Sequence, residues 1–246
     1  MNTVVMQLTL RSLLSRRRVA CLLLLPAALL ALSALVRWVA GPGEEVAANM
    51  LNVFALGGVV PLLGLIAGSG SIGPEIDDGS IVYLLAKPLN RFVIVISKLV
   101  VAIGVVLAFG ALPTLLSGFV LAGFAGNPAL DLIVGFTLGA AAASVAYCAL
   151  FLLLGVLTRN AVVLGLLYAL VWETTVGGFV PGAQALSIRQ WALTLTERVL
   201  GPAAKDLGAA AAVALPVGVV LLLVTAVAAT GYAGWRLRGL RITGAD

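Results

Sequence analysis

Residues 16–40 read RRRVACLLLLPAALLALSALVRWVA, three arginines followed by an apolar run from Val19 to about Ala40. A basic head before an apolar run is shared with signal peptides, but their apolar region holds about 7–15 residues, and this run is about 22 long with further apolar stretches after it. At 1.5 Å per residue it crosses a hydrocarbon core of roughly 30 Å as a single helix. We read it as an uncleaved first membrane span.

The rest of the chain agrees with that reading. Of its 246 residues, 62% are apolar and 10% are charged. A water-soluble domain carries roughly 45–50% apolar and 25% charged residues, so too little polar side chain is present to coat a surface facing water. Six stretches are expected to span the bilayer, at 19–40, 51–71, 97–122, 132–157, 161–180 and 213–235, within one all-helical domain covering 1–246. Pro26, Pro61, Pro113 and Pro216 fall inside them, where neighbouring helices can satisfy the freed carbonyls. Ahead of the first span, residues 1–18 place Val4, Val5, Leu8, Leu13 and Leu14 near helical spacing among polar positions, which predicts an interfacial helix.

Composition removes several chemistries. With no histidine there is no Ser/His triad, imidazole proton shuttle or His-rich metal site. Cys21 and Cys148 each sit in an apolar run, so no disulfide framework is implied. No G-x-x-x-x-G-K-[ST] sequence occurs, so any nucleotide energy must be held by another polypeptide. The net charge of +5 is a matter of topology. With the N-terminus inside, the cytoplasmic segments hold Arg11, Arg16, Arg17, Arg18, Lys87, Arg91, Lys98, Arg159, Arg236, Arg238 and Arg241, against Arg37, Arg189, Arg198 and Lys205 outside. That asymmetry matches the positive-inside rule, puts both termini in the cytoplasm, and calls for no nucleic-acid partner.

Two connections are longer than a bundle needs. The segment 72–96 sits in SIGPEIDDGSIVYLLAKPLNRFVIVISK (71–98), where Ser80 can cap a short helix with Ile81, Leu84 and Leu85 on one face. Pro88 ends it, and Asn90 can cap the next helix. A short amphipathic element tied to two spans is a lever for whatever grips it. The spacing of Glu75, Gly79-Ser80, Leu84-Leu85, Pro88, Arg91 and Lys98 resembles the E-x-x-x-G-[ST], L-L-x-x-P, R and K signature of type-2 ABC transporter permeases. The resemblance implies a coupling helix, formed or positioned by Glu75, Asp78, Gly79, Ser80, Leu84, Leu85, Pro88 and Arg91, that docks on a separate ATP-binding subunit. It also implies a smaller second contact at Arg159, which otherwise serves as a topology anchor.

Glu173 is the costliest residue in the chain. A carboxylate within a span costs on the order of 2.5–3.5 kcal/mol unless it is protonated, paired or facing water. Two readings stand: a gate or substrate-path carboxylate, or a position shallow enough to reach outer water, with Trp172 marking the interface belt. The second long connection, 181–212, spaces Leu186, Ile188, Trp191, Leu193, Leu195, Val199 and Leu200 close to helically. One or two helices that enter the outer leaflet and return are expected there. By resemblance they close the pathway from outside, with Glu173, Trp172 and Trp191 as candidate path or gate residues.

The resemblance implies the transmembrane subunit of an ABC exporter in a bacterial plasma membrane. Two copies of the chain, as a homodimer, would pair around the route, and two ATP-binding subunits holding ATP and Mg would drive it. This chain would bind no cofactor and catalyse no reaction, and its substrate would be lipophilic, drug-like, lipid or peptide. Two other classes remain open. Glu75, Asp77 and Asp78 could hold a divalent cation in a lipid-modifying membrane enzyme, or Glu173 could titrate in a cation-coupled secondary transporter.

Overall fold

The computed structural model describes residues 3–73, 75, 91–123, 127–176 and 182–239. The described residues form helices joined by short connections. The first two are α1 (Thr3–Leu13) and α2 (Arg16–Ala40). Three long ones follow, α3 (Glu44–Gly70), α4 (Arg91–Ala122) and α5 (Asn127–Leu157). Helix α6 starts at Ala161–Leu167 and continues as a wider π-helix, Tyr168–Val176. After a 3₁₀ turn at Ala183–Leu186 come α7 (Ile188–Leu200), the single turn α8 (Ala203–Asp206) and α9 (Leu215–Gly239).

Five of these helices are long and apolar enough to cross a membrane: Arg18–Ala40, Glu44–Gly70, Arg91–Ala122, Ala129–Leu157 and Leu215–Leu237. The apolar helix Ala161–Glu173, where a fifth of six spans is expected, is shorter. Helical structure begins well ahead of three apolar windows, at Glu44 rather than 51, Arg91 rather than 97 and Asn127 rather than 132. Hydropathy marks only what lies in hydrocarbon, whereas backbone hydrogen bonding carries on past it. Glu44 and Glu45 also suit a first turn, where the helix dipole favours negative charge.

The prolines explain local departures from α-helix. Leu51–Val59 in α3 and Leu107–Ala111 in α4 are π-helical, and each ends two residues before a proline, Pro61 and Pro113. A proline has no N–H to donate and its ring crowds the carbonyl four residues back, which a wider turn relieves. Accordingly the residue before each proline bonds five residues back, Val60 N–H to Ala55 O and Leu112 N–H to Leu107 O. Pro216 is different. It is the second residue of α9, where a missing N–H costs nothing, and so lies at a helix start and not in a span interior.

Helix α5 is the centre of the bundle, in contact with α3, α4, α6, α7 and α9. It buries Phe136, Tyr147 and Phe151 completely, and glycines let its neighbours approach. Gly64 and Gly68 of α3 lie on α5: a Cβ on Gly64 would stand 2.7 Å from Tyr147 Cβ, and one on Gly68 2.9 Å from Cys148 O. On the other side, a Cβ on Gly139 of α5 would stand 2.6 Å from Thr196 Oγ1 of α7. Glycines four residues apart place bare backbone on one helix face, which is how helices pack closely where lipid supplies no hydrophobic drive. Helices α2 and α9 flank the bundle and expose Leu24, Trp38 and Val39 or Leu223 and Val227, as lipid-facing surfaces do.

The N-terminal helix α1 turns Val5, Thr9 and Leu13 inward against α4, leaving Val4, Leu8 and Leu14 exposed. Arg18 ties it down: Nη1 donates to Ser12 Oγ at 3.1 Å and to Gly70 O, at the end of α3, at 3.1 Å.

Candidate functional site

Two polar clusters interrupt the apolar bundle, near opposite ends of α3. Asn52 marks one, and Ser71, just past the helix, marks the other; the 19 residue steps from one to the other span roughly 28 Å of helix.

The first cluster surrounds Glu173. It is fully buried in the π-helical end of α6, so it does not reach water across the chain's own surface. Four donors meet it instead. Tyr168 Oη donates to Oε1 at 3.0 Å, Ser187 Oγ to Oε2 at 2.5 Å, and the backbone N–H groups of Ile188 and Arg189 to Oε1 at 3.0 Å and Oε2 at 3.4 Å. The last two are among the N–H groups that a helix start leaves without intrahelical partners, so the carboxylate caps α7. Ser187 is that helix's own N-cap, its Oγ accepting from Gln190 N at 3.4 Å.

The cap extends into a network. Arg189 Nε donates to Asn52 Oδ1 in α3 at 3.1 Å, and Asn52 Nδ2 donates to Gly208 O, just beyond α8, at 3.4 Å. Further along α7, Thr196 Oγ1 donates to Gly135 O of α5 at 3.0 Å. Backbone N–H groups of the chain after α8 reach back, Ala211 to Glu197 Oε2 at 3.0 Å and Ala212 to Gln190 Oε1 at 3.2 Å. Segment 182–212 is thereby fastened to α3, α5 and α6. Trp191 is buried, with its indole N–H donating to Ala185 O at 2.7 Å. Trp172 is half-buried beside Glu173 in sequence and makes none of the carboxylate's hydrogen bonds.

The second cluster centres on Lys98, which is 1% exposed although it sits about two turns inside an apolar helix. Its ammonium donates to Glu75 Oε1 at 2.6 Å and to Ser71 O at 2.7 Å. The Glu75 side chain is 28% exposed, so the pair joins a buried charge to one at the protein's edge. Nearby, the Arg91 guanidinium donates to Leu237 O and ties the start of α4 to the end of α9. Arg159 lies exposed in the turn between α5 and α6.

Of the expected coupling residues, Glu75, Arg91 and Arg159 are thus placed, and the first two are fastened to the bundle. Asp78, Gly79, Ser80, Leu84, Leu85 and Pro88 lie outside the described residues, as does the predicted Asn90 cap. Sequence reasoning missed Asn52, Ser187 and Arg189. Asn52 is a polar residue amid an apolar run, and Ser187-x-x-Gln190 has the spacing of a capping box, so both signals were present.

A family model described as ABC-2 family transporter protein matches residues 43–232. No curated protein and no solved structure matches the chain.

Proposed function

This chain belongs to the ABC-2 family of transporter proteins, and from that premise we propose that it is the membrane-spanning subunit of an exporter driven by a separate ATP-binding protein. It is a multi-pass membrane protein, and in this reading it has six spans with both termini in the cytoplasm. Two copies of the chain pair around the route, each carrying one ATP-binding subunit that holds ATP and Mg. ATP hydrolysis belongs to that partner.

The observation that carries the proposal is the grip of Lys98 on Glu75 and Ser71. It joins both roots of segment 72–96, one at the end of α3 and one in α4, through a charge that the bundle buries. A force applied to the segment from below therefore reaches two long helices at once. Leu84 and Leu85 supply the apolar face that docks on the ATPase, and Arg159 supplies a second contact. ATP shifts the bundle between inward-facing and outward-facing states to the extent that it binds the two states unequally.

The Glu173 network supports an outer gate in the same scheme. Segment 182–212 packs against α5 and α9 and is latched to α3 and α6 through Asn52 and Glu173. Movement of either helix pulls on it. The lipid-modifying enzyme is the weaker reading, since one oxygen of Glu75, the first of its proposed metal ligands, already accepts from an ammonium.

The decisive experiment replaces Leu84 and Leu85 with aspartate and asks whether a P-loop ATPase encoded beside this chain still co-purifies. Loss of the ATPase with normal membrane insertion is expected. Retention of an intact complex would remove the coupling role from segment 72–96.

A further inference from the structure

A cavity of about 490 Å³ opens between α2, α3 and α6 at the end of the bundle that carries Lys98, and neither polar cluster uses it. Three helices build it to one pattern. At its rim stand Arg18, Ser69 and Arg159; deeper in lie Leu24, Leu62 and Leu166. Leu24 and Leu62 sit six and seven residues along their helices from Arg18 and Ser69, and Leu166 five residues into α6, so the apolar walls run about 8–10 Å into the bundle. The volume lies within the roughly 300–1,000 Å³ of small-molecule sites.

The rim is positive. Among the described residues neither arginine has an acidic partner: Arg18 bonds Ser12 and Gly70 through Nη1, and no hydrogen bond or ion pair joins Arg159 to another described residue. Two guanidinium groups over an apolar shaft, in a chain that crosses a membrane, complement an anionic headgroup on a hydrocarbon chain. We infer that this cavity binds an anionic phospholipid, its phosphate between Arg18 and Arg159 and one acyl chain along Leu24, Leu62 and Leu166. Planar guanidinium matches phosphate with two parallel hydrogen bonds, and basic pockets between membrane helices recognise anionic headgroups on that basis. The site concerns lipid held by the bundle and stands whether or not the chain exports anything.

A native reporter is built in. Cys21 lines the cavity and is exposed, whereas Cys148 is buried in the core. The full chain in detergent is titrated with phosphatidylglycerol or phosphatidylcholine, and alkylation of Cys21 by N-ethylmaleimide is timed by mass spectrometry against Cys148. Phosphatidylglycerol should slow Cys21 roughly fivefold or more, and phosphatidylcholine little. Arg159→Gln should raise the phosphatidylglycerol needed roughly tenfold, the worth of a charged hydrogen-bond pair. Arg159→Lys, which serves equally well as a topology anchor but lacks the fork, should fall between. Val162→Trp fills the wall at an exposed position and should abolish the lipid dependence without loss of folding.

Equal protection by both lipids, or wild-type protection in Arg159→Gln, would overturn the assignment. So would a Cys21 already unreactive before lipid is added, which would mean that a second copy of the chain covers the cavity.

Discussion

At one end of α3 the buried acid Glu173 meets four neutral donors, two of them backbone N–H groups, whereas at the other Glu75 meets one ammonium and remains partly in reach of water. Both arrangements answer the cost of a charge in a membrane protein, and they answer it with different consequences. Donors fixed by a helix start and a neighbouring hydroxyl hold Glu173 in one geometry and give no incentive to let go. An ion pair whose acid is partly hydrated is softer, because water or an incoming partner can take over some of what Lys98 supplies. The first suits a permanent fastening of segment 182–212, the second a joint that must transmit movement.

That contrast is best broken at Glu173. Glu173→Leu strands two hydroxyls and two N–H groups, and should lower stability by on the order of 3–5 kcal/mol. Thermal unfolding of the detergent-solubilised protein measures it. Glu173→Gln keeps the shape and one acceptor but turns an NH2 on a backbone N–H, and should lose less; an equal loss in both would show that the latch needs two acceptor oxygens. If Glu173 lines the route, Glu173→Gln should also alter transport-coupled ATPase activity.

At the other end, Lys98→Met leaves Glu75 and Ser71 O without their ammonium and should cost about 2–3 kcal/mol, less than Glu173→Leu because Glu75 can turn to water. A double-mutant cycle with Glu75→Gln isolates the pair, and a coupling energy near zero would remove its claim to be a joint. Gly139→Ala tests packing without charge. Its Cβ meets Thr196, so α7 must shift, at a cost of about 1–2 kcal/mol, while Gly231→Ala, with open space around it, should be neutral or slightly stabilising. A comparable loss, about 1–2 kcal/mol, is expected from Asn52→Ala, which removes the bonds to Arg189 and to Gly208 O, read from the same unfolding curves.

Much of the helical architecture was legible before any coordinates. Runs such as 19–40 and 132–157 are apolar for longer than a soluble helix tolerates, and each lies in a long helix. The anomaly of Glu173 was legible too, since one acid in an apolar stretch demands compensation. Its compensators were not. Ser187, Ile188 and Arg189 lie 14 to 16 residues further on, and Asn52 sits over 130 residues from Arg189, so no local pattern could pair them. The glycines of α3 and α5 were visible as letters, but which helix each admits depends on how the bundle closes.

The sequence by itself determined that the chain crosses a membrane as helices and roughly where its apolar runs lie, because hydropathy and helix period are properties of neighbours along the chain. Only the tertiary structure decided that Lys98 reaches Glu75, that Glu173 caps α7, and that Arg18 and Arg159 share one cavity. Those depend on distances between residues remote in sequence, which packing around the glycine-lined α5 sets and local propensity does not encode.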